Sequence, residues 1–148
     1  LTYTRAAEIE RWVELRMRRQ EILTGATRPM FWAVIDESAL RRSVGNDPAV
    51  LRDQLLHLLD MNERPDIAVQ IVPLSRGGHA AAGGSFTILR FAQKDLPDVV
   101  YLEQLTSSLY LDKRSDTDHY AMVMDRLVTK LEQPSRTADI LRRIHREI

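Results

Sequence analysis

The sequence predicts a single α/β (α+β) domain: one mixed five-stranded sheet, with a parallel crossover and an antiparallel meander, flanked by about four helices. Three observations predict it. Two apolar, β-rich runs enclose a leucine-striped helical segment between residues 30 and 72. Three short strand-like runs with brief links follow between 85 and 112. Amphipathic helical segments lie at both ends of the chain. The 148 residues are enough to bury a core without disulfide or metal. A content of 44% hydrophobic and 28% charged residues fits a folded, soluble chain rather than a disordered one.

The elements follow in order. "AAEIERWVELRMRRQEIL" (6–23) has strong helix formers and neither Gly nor Pro, so it reads as a helix. Ile9, Trp12, Val13, Ile22 and Leu23 are expected to face inward, but Arg16 and Arg19 interrupt their stripe, so the helix is expected to pack partly on the body and partly on something else. "GATRP" breaks the chain, and "MFWAVI" (30–35) is a strand apolar enough to be buried on both faces. "ESALRRSV" is a short helical turn. Asp47 and Pro48 make a helix start, because Asp caps free N–H groups and Pro is tolerated at the first helical position. That helix runs to about Asn62 with Leu51, Leu55, Leu58 and Leu59 on one face. "IAVQIV" (67–72) is a second strand, and the strand–helix–strand order implies a parallel crossover.

"SFTILRF" (85–91) places Phe86 and Ile88 on one face, and with "VVYLEQL" and "LYLD" it forms the meander. Ser115 is expected to cap a helix with apolar positions Tyr120, Val123, Met124, Leu127 and Leu131, ended by Pro134. A last helix, 135–148, carries Leu141, Ile144 and Ile148 on one side.

Composition removes several function classes. Twenty-one basic against 21 acidic residues give no net charge, so no nucleic-acid footprint covers the whole surface. The basic clusters "RMRRQ" and "RRIHR" are flanked by acids and read as solvated or partner-facing helix faces. Trp12 and Trp32 read as core, not as base-stacking platforms. The absence of cysteine excludes disulfides and thiolate chemistry and fits a cytoplasmic location. No apolar run approaches the roughly 18–20 residues of a membrane span. The abrupt start "LTYTRA" suits a piece of a longer chain.

The stretch from Gly78 to Ser85, G-H-A-A-A-G-G-S, has phosphate-loop spacing with Gly84 in place of the lysine. A phosphate loop needs that lysine, and a helix after the glycines so that free N–H groups face the anion. Here a strand follows. The stretch is a strand-to-strand loop around one histidine, where a ligand can approach backbone closely. The four histidines show no metal-ligand spacing, so neither a metal nor another cofactor is expected.

An acid–base pair is conceivable from Asp36 or Glu37, Glu103 and His79. Glu103 shares a strand face with Val99, Tyr101 and Leu105. The alternative, which the rarity of buried unpaired carboxylates favours, is that Val100 and Leu102 are core and Glu103 meets water. Arg41 and Arg42 after "ESAL" offer an anion clamp or, more simply, a solvated helix end. There is no G-x-S-x-G nucleophile elbow and no dinucleotide fingerprint.

Three segments, "WAVIDESALRRSVG" (32–45), "VQIVPLSRGGHAAAGGSFTILRF" (69–91) and "LPDVVYLEQLTSSLYLD" (96–112), resemble the C-terminal domain of unknown function of actinobacterial Xre-type helix-turn-helix regulators, which are antitoxin-like and often encoded beside a small partner protein. The matching positions are Asp36, Glu37, Leu40 and Arg41; Pro73, Gly77 or Gly78, His79, Gly84 and Phe86; and Asp98 to Glu103. The resemblance implies a non-enzymatic sensor or partner-binding domain, with DNA contacted only through an N-terminal domain that this sequence lacks.

The expected partner is a small protein or a small-molecule effector, with no membrane contact. It would bind around His79, Gly78, Gly84 and Phe86, with Tyr101 and Glu103, and at the turn carrying Asp36, Glu37 and Arg41. The rivals are a small hydrolase or isomerase using Glu103 and His79, and a homodimerisation scaffold showing an apolar patch on the first or last helix.

Overall fold

The computed structural model describes residues 6–79 and 81–148, with the Asn46 side chain left aside. The opening "LTYTR", on which the expectation of a longer parent chain rests, lies outside the described residues. The described chain is α+β, with four α-helices and five strands. They are α1 (Ala6–Arg19), β1 (Phe31–Asp36), α2 (Pro48–Asn62), β2 (Ile67–Val72), β3 (Phe86–Leu89), β4 (Val99–Glu103), β5 (Ser108–Leu111), α3 (Arg114–Val128) and α4 (Thr137–Glu147).

The strands form two sheets, not the single sheet expected. β1 and β2 pair in parallel with Phe31 opposite Ile67 and Asp36 opposite Val72, the crossover passing through α2. β3, β4 and β5 form an antiparallel meander, with Ile88 opposite Val100 and Tyr101 opposite Tyr110. The backbone explains the separation. The parallel ladder uses even-numbered carbonyls of β2, since Asp66 O and Val72 O accept from Phe31 N and Glu37 N, each at 2.9 Å. The Val69 carbonyl therefore faces the open edge, where the buried Thr137 hydroxyl at the start of α4 donates to it. Thr137 thus covers one carbonyl of that edge, and the meander forms a separate sheet.

α2 and α4 pack on each other and on β2. Their shared core is Leu40, Leu51, Leu55, Ile71, Leu141 and Ile144, with Leu55, Leu141 and Ile144 fully buried. α2 begins as its sequence dictates: Pro48 occupies the first turn and the Asp47 carboxylate accepts from Ala49 N at 2.9 Å. α3 packs on β3 and β4, burying Val100 and Leu127. Ser115 does not cap α3. Lys113 stands at that position, with no side-chain cap, and Ser115 sits inside the first turn.

Gln70 joins the two halves. It is buried on β2, accepts from the Trp32 indole N–H at 2.9 Å, and donates to Glu132 O at 2.9 Å and Val128 O at 3.4 Å beyond α3. Arg76 donates to Lys130 O at 2.8 Å. These long-range bonds collect carbonyls at the end of α3, which stops at Val128, well before Pro134. Leu131 is consequently outside the helix.

Two burial expectations fail. β1 is not buried on both faces, because among the described residues β2 is its only strand partner and Phe31 and Trp32 are exposed. On α1, Ile9, Trp12 and Val13 are each more than half exposed, as is Ile22 in the 3-10 turn that follows (Gln20–Leu23), and of these five residues only Leu23 is partly covered. No residue of α1 is buried, and Arg16 and Arg19 interrupt its apolar stripe. The segment after α1 is held by Arg64 donating to Leu23 O and by Arg28 pairing with Asp66 at 2.9 Å.

Candidate functional site

The turn after β1 is a clasp. The Asp36 carboxylate accepts from Ser38 N at 2.8 Å, folding the chain back at the strand end. The neighbouring Glu37 is 4% exposed. Its Oε1 accepts from Arg41 Nε at 2.9 Å and Nη2 at 2.7 Å, and its Oε2 accepts from Leu74 N at 3.0 Å. Arg41 Nη2 also lies 2.7 Å from Glu147 at the end of α4. The Glu37–Arg41 pair thereby ties three segments: its own turn, Leu74 through the Glu37 carboxylate, and the end of α4 through the Arg41 guanidinium.

Burial pushes the Glu37 carboxyl up, but the Leu74 N–H, the Arg41 guanidinium and the Arg143 charge outweigh it and hold the carboxyl below its ordinary range. Ser38 lowers Asp36, helped by His79 and opposed by slight burial. Glu37 and Arg41, expected to meet a ligand, have their hydrogen-bonding groups engaged inside the protein.

His79 anchors the glycine loop to this clasp. Its Nε2 lies 3.6 Å from Asp36 Oδ2, while its Nδ1 is buried with no hydrogen-bond partner among the described residues. Its carbonyl accepts from Ala82 N at 3.0 Å, which starts the turn that the loop makes. Gly77 (φ +64°) and Gly84 (φ +146°) bracket the loop in backbone conformations that side chains rarely adopt. Gly78, exposed between Gly77 and His79, touches neither the clasp nor the groove beyond the loop. β3 follows directly, so the arrangement is strand, loop, strand, and no helix N-terminus faces the glycines.

On the far side of the loop lies a groove of about 270 Å³. Ala81, Gly83, Gly84 and Ser85 form one wall, Phe86, Leu102 and Gln104 of the meander the floor, and His119, Tyr120 and Val123 of α3 the other wall. The Phe86 and Tyr120 rings meet edge to face at 5.0 Å. The side chains of Ser85, Gln104 and His119 make no hydrogen bond to any described residue. They contrast with the clasp: exposed polar groups at a concave surface, of which only the His119 ring has a described contact, edge to face with Tyr120 at 6.1 Å.

The chain belongs to the DUF5753 family. The family model, described as a domain of unknown function, matches residues 2–143. No curated protein and no solved structure matches the chain.

The candidate residues of this DUF5753 domain thus separate into three places. Gly84 and Phe86 line the groove, whereas Asp36, Glu37, Arg41 and His79 gather at the clasp. Tyr101 and Glu103 are on neither. Leu102 and Gln104 face the groove, so by strand alternation Tyr101 and Glu103 point to the opposite face. There Tyr101 packs on Tyr110 at 5.0 Å and Glu103 is exposed. Glu103 and His79 are not assembled around the groove; the carboxylate beside His79 is that of Asp36.

Sequence reasoning missed Gln104, Ser85 and His119 as candidates. The available signal was helical spacing, since His119 neighbours Tyr120 and Val123 of the recognised stripe. A second hollow, about 470 Å³, runs along Pro73 and the link from α3 to α4. It is lined by Lys130, Glu132 and Arg136, the last already paired with Asp139 at 3.1 Å. Among the described residues no group of His, Asp and Glu is placed to hold a metal, and no helix is long and apolar enough to cross a membrane.

Proposed function

We propose that this DUF5753 domain is the non-catalytic effector-binding part of an antitoxin-like helix-turn-helix regulator, taking a small molecule or a small partner protein in the groove beneath the glycine loop. The supporting observation is the groove itself: an aromatic floor under a loop nearly free of side chains, rimmed by polar groups without internal partners. Regulation then requires only that the occupant prefer one state of the regulator over the other.

The test uses the regulator that carries this domain. Gly83 suits a blocking variant, because a Cβ added there meets open space and its backbone angle is ordinary. Operator occupancy in cells should change on Gly83→Phe to the same level as on removal of the domain. If occupancy is unmoved by both, the effector reading is wrong.

A homodimer is a second reading, favoured by one observation: Ile9, Trp12, Val13 and Met17 lie exposed on α1. Light scattering of the wild type should then give twice the monomer mass, and Trp12→Glu should halve it. Equal masses would remove this reading.

A further inference from the structure

We infer that the groove takes a small, uncharged, planar ring system carrying hydrogen-bonding groups, the chemistry of an unphosphorylated nucleobase or an indole. The inference rests on the effector-binding reading above and names the occupant. Four features of the groove point to it.

The first is size. A volume of about 270 Å³ falls just under the range of roughly 300–1,000 Å³ typical of sites for drug-sized ligands, which suits one or two fused rings. The second is shape. Phe86 and Tyr120 meet edge to face, with Leu102 and Val123 beside them, and this apolar surface favours a flat, weakly hydrated ring over a bulky aliphatic group. The third is the loop: the glycine wall carries no side-chain bulk at Gly83 and Gly84, where an added Cβ would meet nothing within 4 Å, so a ring edge can approach the backbone.

The fourth feature is charge. No lining residue is Lys, Arg, Asp or Glu. An ionised ligand would give up water without gaining a counter-charge. Gln104, Ser85 and His119 instead supply both donors and acceptors at the rim, matching a neutral ring that carries both. The 470 Å³ hollow has the reverse character, with Lys130, Glu132 and Arg136 in its lining and no aromatic ring.

The experiment is an amide-detected NMR titration of the labelled chain with indole and with adenine. Inorganic phosphate is the anionic control, and cyclohexanol the non-planar control. Saturable shifts are expected at Gly83, Gly84, Gln104 and His119 with at least one planar probe, at a Kd of about 1 mM or below, in keeping with so few heavy atoms. Cyclohexanol should bind about tenfold more weakly, and phosphate should leave these signals in place.

Gly83→Phe should lower planar-probe affinity about tenfold without shifting the thermal midpoint. His119→Ala, exposed and outside the core, should lower it several-fold. Failure of both planar probes to saturate, equal affinity for cyclohexanol, or binding unaltered in both variants would overturn the inference. The two proposals fail separately. Planar-probe binding lost in Gly83→Phe while operator occupancy is unmoved defeats the regulatory reading alone. An occupancy response without planar-probe binding defeats this inference alone.

Discussion

The parallel pair and the meander carry similar numbers of apolar residues but use them differently. Around β1 and β2, α2 and α4 close over Leu55, Ile71, Leu141 and Ile144, and the polar residues at the strand ends are engaged by Arg41, Leu74 N and Glu147. In the meander, Val100 is fully buried, yet Leu109, opposite Leu102 on the α3 side, and Tyr110, opposite Tyr101 on the other side, both stand half exposed or more. Toward α3, three polar side chains lack internal partners. One half turns most of its polar groups inward, with Asp66 Oδ1 and His79 Nδ1 left buried without a partner; the other keeps Ser85, Gln104 and His119 exposed at a groove. Binding surfaces tend to sit on the less committed part of a scaffold that is rigid elsewhere.

The comparison breaks most readily at the closed core. Leu141→Ala should cost roughly 2–5 kcal/mol, because the side chain is fully buried and the cavity left behind adds to the lost transfer energy. Leu109→Ala, at a half-exposed position of the edge strand β5, should cost about 1 kcal/mol or less. Urea denaturation of both variants checks the contrast, and similar losses would show that the two halves are equally consolidated.

The joint comes next. Gln70→Leu strands the Trp32 indole and the carbonyls beyond α3, at a cost of roughly 1–3 kcal/mol. If the halves are held mainly by this residue, amide exchange should accelerate at the end of α3 more than in α2. Uniform acceleration would mean that the two halves open together.

The clasp adds a pH dependence. Asp36 and Glu37 are held below their ordinary values of 3.8 and 4.5 in the folded chain. Lowered folded values mean that the unfolded chain binds the protons first. The stabilisation is therefore complete above pH 4.5 and is lost as pH falls through the folded values. Glu37→Gln should flatten that fall, seen as a shallower drop of the urea midpoint below pH 4.5. An unchanged slope would place the acid sensitivity elsewhere. The smallest effect among the stabilised elements is the cap of α2, where Asp47→Ala should cost about 1 kcal/mol.

Much of this architecture was legible in local patterns. Residues 67–72 read as a strand and are β2, and Asp47 with Pro48 started α2 as a cap and first-turn proline should. Alternation in 86–89 put Phe86 and Ile88 on one face, and that face is the partly buried one, while the preference for Glu103 in water agrees with its exposure. Local patterns are silent on which strand edges meet. The contacts at those edges are long-range: Thr137 reaches Val69 across the open edge of β2, and Gln70 and Arg76 collect carbonyls at the end of α3 more than fifty residues away.

The candidate site was legible only in part, for the same reason. The glycine loop stood out by composition, but its groove is completed by His119 and Tyr120 of a helix read simply as a buried stripe. The Asp36–Arg41 turn stood out by its charges, which neutralise one another internally.

The bond between Trp32 and Gln70 makes the joint visible to light. The chain has two tryptophans, and Trp12 lies exposed on α1. A Trp12→Phe chain would emit from Trp32 alone, whose indole N–H is held by the residue that also grips the end of α3. Any rearrangement that slides one half against the other must disturb that grip. A single chromophore already present in the sequence would then report it as a change of colour or brightness, with no label attached.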